Sequence, residues 1–273
     1  MKNTRRFPII LSVRLFLGTG GFSNDDWVGL LYPPAAKKTE WIGIYAEKFN
    51  AVEVNSTFYA VPGQKTFTSM LERSGGELTF CVKLHRSFTH DRDASPEAAR
   101  RFLFTVEPAR EAGRLGPLLA QFPYSFKNGP DAREHLSRLA EWFQGRELAV
   151  EFRHSSWEKE PVRQYLADLG LALVSVDLPD LQGLPGPAAY AGLPYAYLRL
   201  HGRNARQWFD ADSAAERHDY QYTPDELAGW VSALRQSSPE RAYVFFQNTT
   251  RGQALTNAAQ FRALWQESGG GAP

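Results

Sequence analysis

The stretch Ala51-Val52-Glu53-Val54-Asn55 decides the fold. It reads as a strand, and side chains two apart in a strand share a face, so Glu53 and Asn55 point the same way. The pattern recurs down the chain. Lys83 and His85 close one apolar run, Glu151 and Arg153 another, and Arg199 and His201 a third. Four separate strands therefore send a charge and a second polar group in one direction from the same end. Burying that much polarity is costly unless the groups pair with each other or with a ligand. A polar mouth at one end of a set of strands is the place to look for chemistry.

Working outward, apolar runs predict eight strands: 13–18, 51–55, 78–85, 116–122, 148–154, 172–177, 195–201 and 242–248. Helical patterns lie between them. Trp41, Ile42, Tyr45 and Phe49 form an apolar stripe at helical spacing. Ser95-Pro96-Glu97 reads as an N-cap followed by proline at the first helical position, and Thr223-Pro224 with Glu226 as a capping box. Asp131 with Glu134 and Thr250 with Gln253 have the same spacing. The repeat is that of a βα unit. Eight strands and inward polar pairs favour an α/β fold closed as a single-domain (β/α)8 TIM-type barrel, whose active-site groups gather at the C-terminal strand ends. An open dinucleotide-binding sheet needs Gly-x-Gly-x-x-Gly opening a helix, and Gly18-Thr19-Gly20-Gly21-Phe22-Ser23 lacks the third glycine. The expected barrel spans residues 13–266, between a basic tail at 1–12 and a disordered tail at 267–273. Residues 178–194, with four prolines and three glycines, predict an irregular sixth crossover, and 202–222 a long loop of the kind used as a lid.

Bulk properties narrow the field. The chain has 273 residues, 43% of them hydrophobic, with seven Trp and eighteen Phe, ample for a core. A net charge of +1 gives no overall pull toward nucleic acid or an anionic membrane. The single cysteine, Cys81, excludes an internal disulfide and a multi-Cys zinc cluster, and suits a reducing cytoplasm. Lys2, Arg5 and Arg6 precede an apolar stretch from Phe7 to Leu17, but Arg14 interrupts it and no small-residue cleavage site closes it. No segment approaches the ~20 apolar residues of a membrane span, so no membrane partner is expected.

The strand ends carry a resemblance. The stretches are Tyr45-Ala46, Phe49 and 52–59 (VEVNSTFY), then 80–83 (FCVK) with Thr89-His90, 115–123 (LGPLLAQFP), and 150–154 (VEFRH) with Trp157. They continue in 198–204 (LRLHGRN), Tyr220, Tyr222 and 246–249 (FQNT) with Ala254 and Asn257. In this order the chain resembles the bacterial and archaeal DUF72 or YecE-like proteins. The resemblance implies a TIM-type barrel and brings no assigned activity. One departure is Gln247, where the family pattern has Asn.

If the barrel closes, Glu53, Lys83, Gln121, Glu151, Asp177, Arg199 and Asn248 line its upper interior, with Asn55, His85, Arg153 and His201 nearer solvent. Three carboxylates balance three cations, so a self-neutralising structural network is the plain alternative to a site. Barrel interiors are ordinarily filled by Val, Ile and Leu, and polar filling on this scale points to function. Arg153 and Arg199 suit bidentate grip on a phosphate or carboxylate. Glu53 or Glu151 then serves as general base and His85 or His201 moves the proton. Asn55, Gln121 and Asn248 orient the substrate by hydrogen bonds. Lys83 as a Schiff-base lysine is a minor reading, because Glu53 and Glu151 would hold it as ammonium. Glu53, His85, Glu151, Asp177 and His201 offer ligands to a divalent metal, but the interleaved Lys83, Arg153 and Arg199 repel one; no cofactor is expected. After the seventh strand Arg203, Asn204 and Trp208 add to the substrate-binding set, and Asp210 and Asp212 dilute the positive field there. The reading is an enzyme using acid–base chemistry on a small anionic substrate. Two alternatives are a phosphodiesterase or nuclease-like protein on DNA or RNA, and a ligand-binding barrel without catalysis.

Overall fold

The computed structural model describes residues 13–190, 193–209 and 213–269. In chain order it runs β1 (Arg14–Thr19), α1 (Trp41–Ala46), β2 (Ala51–Val54), α2 (Gln64–Arg73), β3 (Thr79–Lys83), α3 (Arg86–Thr89), α4 (Pro96–Glu111) and β4 (Leu115–Gln121). It continues with α5 (Pro130–Trp142), β5 (Leu148–Glu151), α6 (Glu160–Asp168), β6 (Leu171–Leu173), β7 (Ser175–Asp177), β8 (Tyr195–Leu200), α7 (Ala214–Arg217), α8 (Pro224–Ser237), β9 (Arg241–Phe246) and α9 (Gln253–Glu267). Two of the expected caps form. Ser95 Oγ accepts the Ala98 N–H at 3.2 Å, and Thr223 and Glu226 close a reciprocal box. The other two do not. α5 starts at Pro130, so Asp131 lies inside the helix, and a 3₁₀ turn at Thr250–Gly252 precedes α9. No helix follows β7 among the described residues of 178–194, as the prolines and glycines there dictate.

All strand pairs are parallel, in two sheets ordered β1-β9-β8-β7 and β2-β3-β4-β5-β6. The predicted sixth strand is thus two pieces. Its first half pairs with β5 and its second with β8, and the chain changes partner at Val174, whose N–H donates to the Val150 carbonyl at 2.9 Å. At the second seam, between β1 and β2, a single Gly20–Glu53 bridge is supplemented by side chains. Asn50 Oδ1 accepts from Leu17 N at 2.8 Å and its Nδ2 donates to the Leu15 carbonyl at 2.9 Å. Tyr45 Oη accepts from Thr19 N at 2.9 Å and donates to the Ala51 carbonyl at 3.1 Å. Gly18 makes this approach feasible, since a Cβ there would lie 2.0 Å from the Ala51 carbonyl oxygen. The architecture is TIM-like, with its parallel strands divided between two sheets. No helix among the described residues is long and apolar enough to cross a membrane.

Alternation along the strands sorts the side chains. Phe16, Ala51, Cys81, Leu119, Ala149, Val174, Val176, Tyr195, Tyr197, Tyr243 and Phe245 pack together inside, while the intervening residues pack against the helices. The inward positions beyond this apolar floor are Glu53, Lys83, Gln121, Glu151, Arg199 and Gln247.

Candidate active site

Arg199 is the hub of the mouth. Its side chain, 3% exposed as a residue, lies between two fully buried carboxylates. Nε and Nη2 donate to Glu53 Oε2 and Oε1 at 2.9 and 2.7 Å, and Nη1 donates to Glu151 Oε2 at 2.5 Å. Arg153 Nε donates to Glu151 Oε1 at 2.5 Å. Glu53 also accepts from Tyr197 Oη at 2.8 Å, from Asn55 Nδ2 at 3.1 Å and from Gln247 Nε2 at 3.1 Å. Charge-assisted bonds of this kind are about twice as strong as neutral ones. Burial alone would raise the Glu151 pKa, but the charges of Arg153 and Arg199 override it and hold the carboxyl well below its usual range. Arg199 is held correspondingly high: burial disfavours its charge, and Glu151 and Glu53 outweigh that. Both carboxylates are spent on arginines and neither lines the cavity above. The general-base role read for them from the sequence therefore does not fit.

Above the hub opens a cavity of about 390 Å³. Lys83, Gln121, Arg153, Arg199, His201 and Asn55 line it, as the sequence led us to expect. So do residues not assigned to the site from the sequence: Gly20, Phe58, Tyr59, His90, Arg217, His218, Gln247 and Thr249. Lys83 Nζ donates to Gln121 Oε1 at 2.8 Å and lies 4.4 Å from the centre of the Phe58 ring. Burial, with the Arg199 charge, lowers its pKa to about 7. Glu53 and Glu151 do favour the ammonium, as the sequence reading held, but burial and the charges of Arg199 and Arg153 outweigh them. His218 Nδ1 lies 2.8 Å from the His201 carbonyl, which only accepts, so Nδ1 carries the proton. Burial and the Arg153 charge push His201 well down and His218 down to about 3; burial and Lys83 take His90 to about 4. All three imidazoles are neutral at ordinary pH. The Oδ1 of Asn55 and the Nε of Arg217 are buried with no hydrogen-bond partner among the described residues.

Six sequence candidates lie elsewhere. Asp177 faces outward with Ser175, since Val174 and Val176 take the inward positions. It pairs with Arg203 at 2.8 and 2.7 Å and accepts from Trp230 Nε1. Arg203 is thereby committed to Asp177 and to Glu226 at 2.9 Å. Asn248 also faces outward; its Nδ2 donates to the Tyr220 carbonyl at 2.8 Å and to Asn257 Oδ1 at 3.0 Å. Gln247 has the inward place instead. Asn204 ties its own loop, donating to the Glu216 carbonyl at 3.1 Å. His85 caps α3, its Nδ1 accepting from Ser87 N at 3.3 Å. Trp208 is buried behind the mouth, its ring 5.5 Å from the Arg153 guanidinium and 5.9 Å from that of Arg217. Asp210 and Asp212 lie outside the described residues. With His85 and Asp177 removed from the mouth, no three His, Cys, Asp or Glu side chains converge on a cation site among the described residues. A larger cavity of about 540 Å³ lies beside the start of α5, lined by Arg92, Lys127, His135 and Arg138, and shares no lining residue with the mouth.

The family described as "Protein of unknown function DUF72" matches residues 16–272. The chain belongs to this family. DUF72 relatives include the UPF0759 protein YunF of Bacillus subtilis, 24% identical over 92% of this chain and 94% of that protein. UPF0759 protein YecE of Escherichia coli is 25% identical over 64% of this chain and 61% of that protein. Among solved structures, a DUF72 protein from Thermotoga maritima superposes with a TM-score of 0.85 and 38% identity, covering 93% of this chain and 99% of its own. A second, from Enterococcus faecalis, reaches 0.79 at 23% identity, over 92% and 95%. None of these names carries an activity.

Proposed function

We propose that this DUF72 chain is an enzyme that binds a small carboxylate or phosphate compound in the barrel mouth and acts on it by proton transfer at Lys83. One observation carries the reading: the half-buried Lys83 amine, with no ion pair among the described residues, stands on the wall of a cavity whose other charged groups are arginines, and burial with the Arg199 charge lowers its pKa to about 7. Glu53 and Glu151 lie behind Arg199, so the faces offered to a ligand are cationic or neutral. Arg153, Arg199 and Arg217 suit an anion, and the unpartnered Oδ1 of Asn55 suits a hydroxyl or amide donor. A general base works best with a pKa near the working pH, and Lys83 meets that condition where the carboxylates do not.

Solution NMR in D2O tests it. Small oxo-carboxylates and sugar phosphates are screened for loss of a C–H signal, with Lys83→Met as the control. Exchange that needs native Lys83 and is inhibited by inorganic phosphate supports the proposal. Exchange unaffected by Lys83→Met overturns the assignment of the base.

A second reading, a nucleic-acid substrate, draws on Tyr59, 76% exposed on the cavity rim, with Tyr124 and Phe209 in edge contact at 5.8 Å. Rings of this kind serve as stacking platforms for bases. Binding of short oligonucleotides with a steep salt slope would favour it over the small-molecule reading.

A further inference from the structure

We infer that Lys83 is a covalent nucleophile: its amine forms a protonated imine with the carbonyl carbon of a small oxo compound whose carboxylate or phosphate is held by Arg153, Arg199 and Arg217. This rests on the reading of the mouth as an anion-binding reaction site, puts a covalent role for Lys83 in place of the general-base one, and names the substrate class. Three features of geometry carry it. First, Lys83 stands apart from the other lysines, every one of which is exposed among the described residues. Second, its Nζ makes no ion pair among the described residues. The hydrogen bond to the neutral Gln121 amide holds it at the cavity wall, while Arg199 and Arg153 monopolise the neighbouring carboxylates. Third, the face of Phe58 lies 4.4 Å from the nitrogen on the same cavity wall. That same ring would stabilise the cationic imine once formed. Burial keeps a large fraction of the amine unprotonated near neutrality, which the lone pair needs in order to attack.

The step balances as follows. The Nζ lone pair forms the C–N bond while the carbonyl π pair moves to oxygen. One proton passes from nitrogen to that oxygen and a second comes from solvent through the mouth. Water leaves with the C–O pair, and the remaining nitrogen lone pair closes the C=N bond. An adjacent C–H or C–C bond that then breaks delivers its electron pair to the nitrogen as an enamine, the proton of a C–H bond passing to solvent water in the mouth and the carbon fragment of a C–C bond leaving as a carbonyl compound or carbon dioxide. Reprotonation and hydrolysis by water return the free amine. The Lys83 nitrogen is thus the nucleophile as the neutral amine and the electron sink as the protonated imine, and the arginines supply only position and charge.

Borohydride trapping tests it. The full-length protein is incubated separately with pyruvate and with dihydroxyacetone phosphate, reduced with sodium borohydride, weighed intact and mapped by peptide mass spectrometry. The expected result is one adduct per chain on Lys83, heavier by the probe less water plus two hydrogens. An adduct with pyruvate alone identifies the anion as a carboxylate, and one with dihydroxyacetone phosphate alone identifies a phosphate. Acetone, which lacks the anion, should label far less, and Lys83→Arg should abolish the adduct. Mapping on the native protein keeps the test valid if that variant does not fold. No adduct with either probe, or labelling spread over exposed lysines, overturns the inference. A parallel thermal-shift titration without reductant separates the two readings. Stabilisation by a probe that leaves no adduct refutes the imine and keeps the anion site; no stabilisation and no adduct refutes both.

Discussion

Replacing Arg199 by methionine removes the one cation shared by Glu53 and Glu151, and its cost can be worked from the structure. Glu151 keeps Arg153 as a partner, but Glu53 retains only the neutral donors Tyr197, Asn55 and Gln247. A fully buried carboxylate without a cation is the expensive outcome. Breaking a buried pair from one side costs about 3–5 kcal/mol, against about 0–1 kcal/mol for an exposed pair. Measured against a typical total of about 5–15 kcal/mol, Arg199→Met should consume much of the stability. Urea unfolding followed in parallel by far-UV circular dichroism and tryptophan fluorescence reads this as a lower midpoint at unchanged slope. Charge balance supplies the control. The double variant Glu53→Met with Arg199→Met leaves the Glu151–Arg153 pair neutral by itself, so it should be more stable than Arg199→Met alone. A single-variant cost below about 1 kcal/mol, or a double variant less stable than the single, would refute the reasoning that an orphaned buried charge dominates.

Three further outcomes are expected. NMR titration of side-chain-labelled lysines should find one Nζ with a midpoint of about 7, lost in Lys83→Met; because the unfolded value is 10.5, Lys83 makes stability rise with pH between those limits. A single set of midpoints near the ordinary lysine value would contradict the cation-flanked amine. His201 and His218 have folded pKa values below the usual 6.5, so the unfolded chain takes up protons the native state refuses. Stability should therefore fall as pH drops below 6.5, toward about 3 for His218, with the loss of the ionised Glu151 adding to it lower down. A urea midpoint that stays flat between pH 6.5 and 4, with no difference in His218→Gln, would count against neutral buried imidazoles. Gly18→Ala sets a Cβ against the backbone of Ala51 and should cost about 1–3 kcal/mol by thermal melting, as overpacking typically does. A melting temperature equal to that of the parent would mean the two strands stand further apart than described.

The TIM-like order of elements was legible because each strand announces itself twice, by an apolar run and by the polar residue that ends it. Glu53, Glu151 and Arg199 were legible for the same reason, since i, i+2 alternation puts them on the face of Ala51, Ala149 and Tyr197. Asp177 and Asn248 were misread because nearness to a strand end was allowed to outweigh that alternation. Val176 fixes Asp177 as outward, and Tyr243 with Phe245 fixes Gln247 as the inward residue. His85 has the right parity, but the chain turns into α3 directly after Leu84, and its ring caps the helix. Arg217, His218 and His90 reach the cavity from segments with no strand periodicity, where sequence gives composition but no direction. The halved sixth strand was hidden too, since a change of hydrogen-bonding partner at Val174 leaves the apolar pattern intact.

The three members of the ionic hub come from strands that begin at positions 51, 148 and 195. A ribosome-bound chain lacking its last third would carry both glutamates with the cation that joins them still unmade. Emerging polypeptide should therefore remain protease-sensitive around β2 and β5 until β8 has left the exit tunnel, and the protein should complete its core late in synthesis rather than piecewise.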